Sequence, residues 1–203
     1  MSHLEIRIAG TGGQGLILGA KLLAEALASD GRRVAQSQTY EPTSRGGLCT
    51  SDLVIASGEV DYPLTTALDY LVLLDALAVQ PSLPQVKAGA VVIADMRLCP
   101  QVPAGAYCVH RLPLSRKALE LGSERVTNML ALGALAALSG ICERAALEQA
   151  IEADTPRSFQ QLNVDALDAG YRLGAEVTGT GCAPGAHARD EATQSAGRAA
   201  GRR

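Results

Sequence analysis

The sequence predicts an α/β fold: a mostly parallel sheet with flanking helices, a helical C-terminal half and a disordered C-terminal tail. Three observations carry this. Leu4-Glu5-Ile6-Arg7-Ile8-Ala9 alternates apolar and polar side chains at the period of a strand and runs straight into glycines. Two short apolar runs, Tyr70 to Leu74 and Ala90 to Ala94, each lead into an aspartate, Asp75 and Asp95, as parallel strands covered on both faces do. After Pro113 the apolar spacing lengthens to that of helices.

Along the chain, Leu16, Ile17, Ala20, Leu23, Ala24 and Leu27 recur at helical spacing between Gln14 and Ala28. Asp30-Gly31 ends that helix, because glycine suits the left-handed C-terminal position. Arg33 to Ser37 reads as a second strand, completing a strand–helix–strand unit. Gln38 to Gly47 is polar and turn-rich and reads as a functional loop. Cys49 to Ile55 is a strand, Ser57-Gly58-Glu59 a turn, and Pro81 to Lys87 a short helix before the turn at Gly89. Helices follow over Leu114 to Leu121, Glu124 to Leu138, Glu143 to Ala153 and Gln161 to Ala175. The one over Glu124 to Leu138 is apolar almost all round and is expected to be buried. Residues 1–176 form one domain. Residues 177–203, rich in Gly, Ala, Ser, Thr and Arg, lack the apolar side chains to offset their ordering entropy and read as a disordered tail.

Composition narrows the function. The 203 residues carry a net charge of −3 and only 3% aromatics without any Trp, which speaks against nucleic-acid backbones and base-stacking surfaces. Five scattered cysteines (Cys49, Cys99, Cys108, Cys142, Cys182) contain no C-x-x-C pair, so no iron–sulfur or zinc site is expected on this chain. Their odd count, with no secretory signal, implies reduced thiols in a cytoplasm. The most apolar run, Met129 to Leu138, is too short to span a bilayer.

Gly10-Thr11-Gly12-Gly13-Gln14-Gly15 lies between a predicted strand and a predicted helix, where backbone N–H groups and a helix N-terminus suit a pyrophosphate. Dinucleotide binding also needs an acidic residue at the end of the second strand, about 20 residues on. That strand ends in Gln36-Ser37-Gln38 instead. NAD(P) binding and a purely structural tight turn both stay open here. The second motif is Tyr40-Glu41-Pro42-Thr43-Ser44-Arg45-Gly46-Gly47, where two glycines admit close backbone approach beside a guanidinium suited to an anion. A solvated loop arginine, or one paired with Glu41, is its plain alternative.

In order and context, the two stretches resemble the γ subunit of the 2-oxoacid:ferredoxin oxidoreductases. The resemblance takes in the glycine turn with Gln14, Gln38-Thr39-Tyr40-Glu41 leading to Arg45-Gly46-Gly47, and the strand with Asp52-Leu53-Val54-Ile55. It continues through Val60-Asp61-Tyr62-Pro63, Asp75, Gly89 to Asp95, Asn128 to Ala134, and Leu162 to Ala166 with Gly170-Tyr171. It covers roughly residues 4 to 175. Within the family, the loop and Val60-Asp61-Tyr62-Pro63 look closest to the 2-oxoglutarate type. Glu41-Pro42-Thr43-Ser44 departs from the family's more frequent Gly-Pro-Glu, which leaves the indolepyruvate and phenylglyoxylate branches open.

The resemblance implies a cytoplasmic, multi-subunit enzyme that oxidatively decarboxylates a 2-oxoacid to its acyl-CoA. Thiamine diphosphate and iron–sulfur clusters would sit in partner α and β or ferredoxin-like subunits, with ferredoxin as acceptor and neither a membrane nor a nucleic acid as partner. This chain would bind no cofactor alone, would carry no catalytic residue, and would contribute to assembly and to the coenzyme A side of the site. Gly10, Thr11, Gly12, Gly13, Gln14, Gly15, Arg45, Gly46 and Gly47 are the residues expected to do so. CoA carries a 3′-phosphate, which fits a glycine turn without a ribose anchor. A scaffold with no ligand contact is the other reading.

Among the remaining polar residues, Asp75 and Asp95 read as helix caps. Asn128 and Asn163 read as buried hydrogen-bonding residues, and Cys49 as a small buried residue. His3, His110 and His187 suggest no catalytic arrangement.

Overall fold

The alternation at the N-terminus produces strand β1 (His3–Thr11), which places Ile6 and Ile8 in one core and turns Glu5 and Arg7 to the other face. The other strands are β2 (Arg33–Tyr40), β3 (Leu48–Ala56), β4 (Leu68–Leu73), β5 (Val86–Asp95) and β6 (Cys108–Leu112). In this computed structural model, which describes residues 3–41, 46–56, 58 and 64–178, they form one sheet of order β2-β3-β1-β4-β5-β6. β1, β4, β5 and β6 run parallel, and β3 runs antiparallel to both of its neighbours.

The helices are α1 (Leu16–Ser29), α2 (Val79–Ser82), α3 (Leu114–Glu120), α4 (Thr127–Ser139), α5 (Arg144–Asp154) and α6 (Arg157–Val177). Helices α1, α4, α5 and α6 cover one face, packing on Ile6, Ile8, Leu53, Ile55, Val72 and Ile93. Ala78 and Val79, entering α2, join Leu68, Leu71, Leu73 and Val92 on the opposite face. Every residue of α4 except Ala137 and Leu138 is buried, as its continuous apolar sequence requires. Its crossing with α6 is backbone on backbone: a Cβ on Gly133 would lie 2.1 Å from the Leu167 carbonyl oxygen, and one on Gly170 2.1 Å from that of Leu130.

Several boundaries moved for local reasons. β2 continues to Tyr40 because each residue from Arg33 to Tyr40 has a partner on β3. β3 also inserts between β2 and β1, so the strand–helix–strand unit is not a pair of adjacent strands. The helix expected at Pro81 begins earlier, where Asp75 Oδ1 accepts from Leu77 N at 3.0 Å and caps a 3₁₀ turn over Ala76–Ala78. α6 starts at Arg157, four residues before Gln161, directly after Pro156, whose carbonyl accepts from Phe159 N.

The sheet face carrying Glu5 and Arg7 is tied down by polar contacts. Arg7 grips Asp52 through two bonds of 2.8 and 2.7 Å, and Thr65 Oγ1 donates to the same carboxylate. Glu5 accepts from the backbone N–H groups of Thr66 and Ala67, which fixes the approach to β4.

Cys49, Cys99 and Cys142 are free thiols. Among the described residues no helix is long and apolar enough to cross a membrane, and no cluster of His, Cys, Asp and Glu is placed to hold a metal ion. Residues 179–203 of the expected tail lie outside the described part.

Candidate functional site

β2 and β1 point the same way because both are antiparallel to β3. One edge of the sheet therefore collects the end of β2 at Tyr40, the glycine turn after β1, Gly46-Gly47 leading into β3, and Leu74-Asp75 after β4. At this edge β1 leads into α1 on one face and β4 into α2 on the other. That makes the gap between β1 and β4 a topological switch point, where open α/β sheets bind ligands.

Gln14 occupies that gap. Its Nε2 donates to the Leu74 carbonyl at 2.9 Å, and its Oε1 accepts from Thr11 N at 2.8 Å. Gly10 exists for this side chain, since a Cβ there would lie 2.2 Å from Gln14 Oε1. The Gln14 carboxamide thus fixes the turn's shape and links two parallel strands at their ends.

The two sequence motifs meet directly. Gly12 N donates to the Gly47 carbonyl at 3.0 Å, joining the glycine turn to the loop that precedes β3. Gly13, Gly15 and Gly46 hold φ of 103°, 72° and 101°, the left-handed region that glycine adopts without strain. Gly12 differs. Its φ lies outside that region, and a Cβ there would approach nothing closer than 3.9 Å. Backbone geometry and packing within the described chain leave Gly12 free to be another residue.

Gly15 caps α1 in the left-handed conformation, and its carbonyl accepts from Gly19 N and from Asn128 Nδ2. Among the described residues, the N–H groups of Gly13, Gly15, Leu16 and Ile17 donate to no protein acceptor, while Gly12 and Gly13 are exposed. This leaves backbone donors and the positive end of a 14-residue helix at one exposed spot, a setting that favours anionic oxygens.

Arg45 and the Val60-Asp61-Tyr62-Pro63 stretch lie outside the described residues. Asp75 is a cap, whereas Asp95 caps no helix of its own: fully buried, it closes the turn after β5 by accepting from the N–H groups of Arg97 and Leu98, and it also accepts from Ser115 N and Oγ in α3. Asn163 is buried in α6. Cys49 is buried, and burial pushes its thiol up, away from the reactive thiolate. Burial also lowers His110, whose Nε2 lies 3.3 Å from Cys108 Sγ. His3 sits at the start of β1 with Nε2 2.9 Å from Glu5 Oε1, at the opposite edge from the glycine turn.

The position for a dinucleotide's ribose anchor is lost as well as its residue. With β3 interposed, the end of β2 stands two strand spacings, about 10 Å, from β1. Gln36, midway along β2, is tied to the Ile17 carbonyl and the Ser51 hydroxyl. The part of the site hidden from the sequence was the role of Asn128 and of the Leu74 carbonyl. An asparagine opening an apolar helix was a signal of a buried contact, but not of its partner.

The Pyruvate ferredoxin/flavodoxin oxidoreductase family model matches residues 5–173. The 2-oxoglutarate synthase subunit KorC of Archaeoglobus fulgidus is 35% identical over 177 residues, covering 87% of this chain and 90% of that protein. The gamma subunit of a keto/oxoacid ferredoxin oxidoreductase from Geobacter sulfurreducens superposes with a TM-score of 0.76 at 34% identity, over 85% of this chain and 99% of that one. The 2-oxoglutarate:ferredoxin oxidoreductase from Magnetococcus marinus, solved with 2-oxoglutarate, coenzyme A and succinyl-CoA bound, gives 0.79 at 25% identity. It covers 88% of this chain but 32% of that chain.

Proposed function

The chain belongs to the pyruvate ferredoxin/flavodoxin oxidoreductase family as a γ subunit of the 2-oxoglutarate type, and from that premise we propose that its glycine-turn edge forms the CoA side of the enzyme's site. The enzyme is an oxidoreductase that converts a 2-oxoacid to its acyl-CoA, with thiamine diphosphate and iron–sulfur clusters on partner subunits and ferredoxin as acceptor, in the cytoplasm. The observation that supports the ligand role is the Gly12 N to Gly47 carbonyl bond, which joins the two motifs into one surface.

On this reading, each residue of the edge has a task. The unengaged N–H groups of Gly13, Gly15, Leu16 and Ile17 receive phosphate oxygens at the start of α1. Arg45 supplies a guanidinium to the same anion. Gly10, Thr11 and Gln14 hold the turn, Gly12 keeps the approach open, and Gly46 and Gly47 hold the facing loop.

Steady-state kinetics of the reconstituted complex, with CoA varied at saturating 2-oxoacid, test this. Losing one charge-assisted phosphate contact costs about 1.5–3 kcal/mol. Arg45→Ala is therefore expected to raise the apparent KM for CoA by roughly 10- to 150-fold. Decarboxylation followed by dye reduction without CoA stays nearly unchanged. An assembled Arg45→Ala complex with unaltered CoA dependence would remove the ligand contact and leave a scaffold.

A further inference from the structure

The sheet edge that carries the glycine turn also carries a row of large exposed apolar side chains. Tyr40 ends β2, Ile17 opens α1 after β1, Leu77 follows β4 and Met96 follows β5; they are 63%, 40%, 58% and 51% exposed. In the strand order they span about four spacings, roughly 19 Å. Core-forming apolar residues placed this way along a single edge differ from singly scattered surface leucines, which need no explanation.

We infer that this edge, with Leu77 and Met96 on its β4–β5 side, is the surface on which the subunit equivalent to the rest of the Magnetococcus marinus chain docks. Two observations select that occupant. In the Magnetococcus protein this fold accounts for 32% of a longer chain, so a larger body accompanies it there. The second is position: the backbone donors sit at this edge and form only one wall of a site. A ligand held by its phosphates here reaches a reacting centre on another subunit only if that subunit abuts the same edge. The argument rests on the function proposed above for its direction, while the apolar row stands independently of it. Leu and Met are suited to the dry centre of such an interface, Met because its flexible thioether adapts to the opposing surface.

The test uses the full chain co-expressed with the α-type subunit. Leu77→Asp with Met96→Asp is expected to leave the circular dichroism and melting temperature of the isolated chain unchanged. The same pair should weaken binding of the α-type subunit by about 30-fold or more, as loss of two buried apolar anchors does. Leu77→Ser with Met96→Gln gives the same loss should the aspartates disturb folding. Leu119→Asp and Phe159→Asp, exposed on α3 and α6, retain wild-type binding. Wild-type affinity in the edge variants, or loss confined to the Leu119 and Phe159 variants, overturns the proposal. So does self-association of the isolated chain that the edge variants abolish. Failure of the CoA reading alone appears differently, as unchanged CoA dependence in Arg45→Ala with the edge variants still defective in assembly.

Discussion

The Asn128 side chain donates to the carbonyl oxygen of Gly15 at 3.0 Å across 113 residues of chain. Its Oδ1 accepts from Met129 N, so the carboxamide is held at both ends. A buried helix thereby fixes the residue that caps α1. A Cβ on Gly15 would stand 2.6 Å from Asn128 Nδ2 at a φ of 72°, so the two residues fit only as they are. Asn128→Ala is expected to cost about 1–3 kcal/mol, measured by urea unfolding, through a lost bond and an unfilled space. Gly15→Ala should cost at least about 1 kcal/mol from its backbone angles alone.

Gly12 and Gly13 are adjacent and are expected to respond oppositely. Gly12→Ala meets nothing within 3.9 Å and no left-handed φ, so its melting temperature should match the wild type while CoA dependence worsens. Gly13→Ala carries a side chain into φ 103° and should lose stability first. A destabilised Gly12→Ala with normal CoA dependence would count against the open-approach role.

Gly133→Ala and Gly170→Ala place a methyl 2.1 Å from an opposing backbone carbonyl, which no rotamer change relieves. Each should cost about 3 kcal/mol or more, at the upper end of overpacking effects. Thermal melts of the two single variants check this, and a loss below about 1 kcal/mol would mean that α4 and α6 separate easily.

Burial alone pushes the Glu5 carboxyl up. The backbone N–H groups of Ala67 and Thr66, followed by His3 and the Thr66 hydroxyl, outweigh it and hold the group below its ordinary 4.5. A depressed folded value means that the stabilisation is complete above the unfolded value near 4.5 and fades as pH falls through the folded one. Glu5→Gln is expected to lose about 1–3 kcal/mol at neutral pH. Its deficit against wild type should shrink in unfolding experiments taken below pH 4.5.

Local pattern carried most elements because strands and helices bury their faces at different periods. Ile6 and Ile8, the run before Asp75, and the all-apolar α4 announced their environments directly. Asp75 was legible as a cap because a carboxylate at a strand end has backbone N–H groups within reach. The position of β3 was not legible, since strand pairing joins residues such as Gly10 and Cys49 through contacts that no local period encodes.

The sequence by itself determined the α/β class, the helix end at Gly31, which holds a positive φ, and the identity of the two glycine-bearing motifs. These depend on side-chain period and on backbone angles that single residues impose. Only the tertiary structure decided that Gly12 bonds to Gly47, that Gln14 closes the gap between β1 and β4, and that β3 displaces β2 from β1. Each of these joins groups distant in sequence, and such contacts form only when the packed core brings the strand ends to one edge.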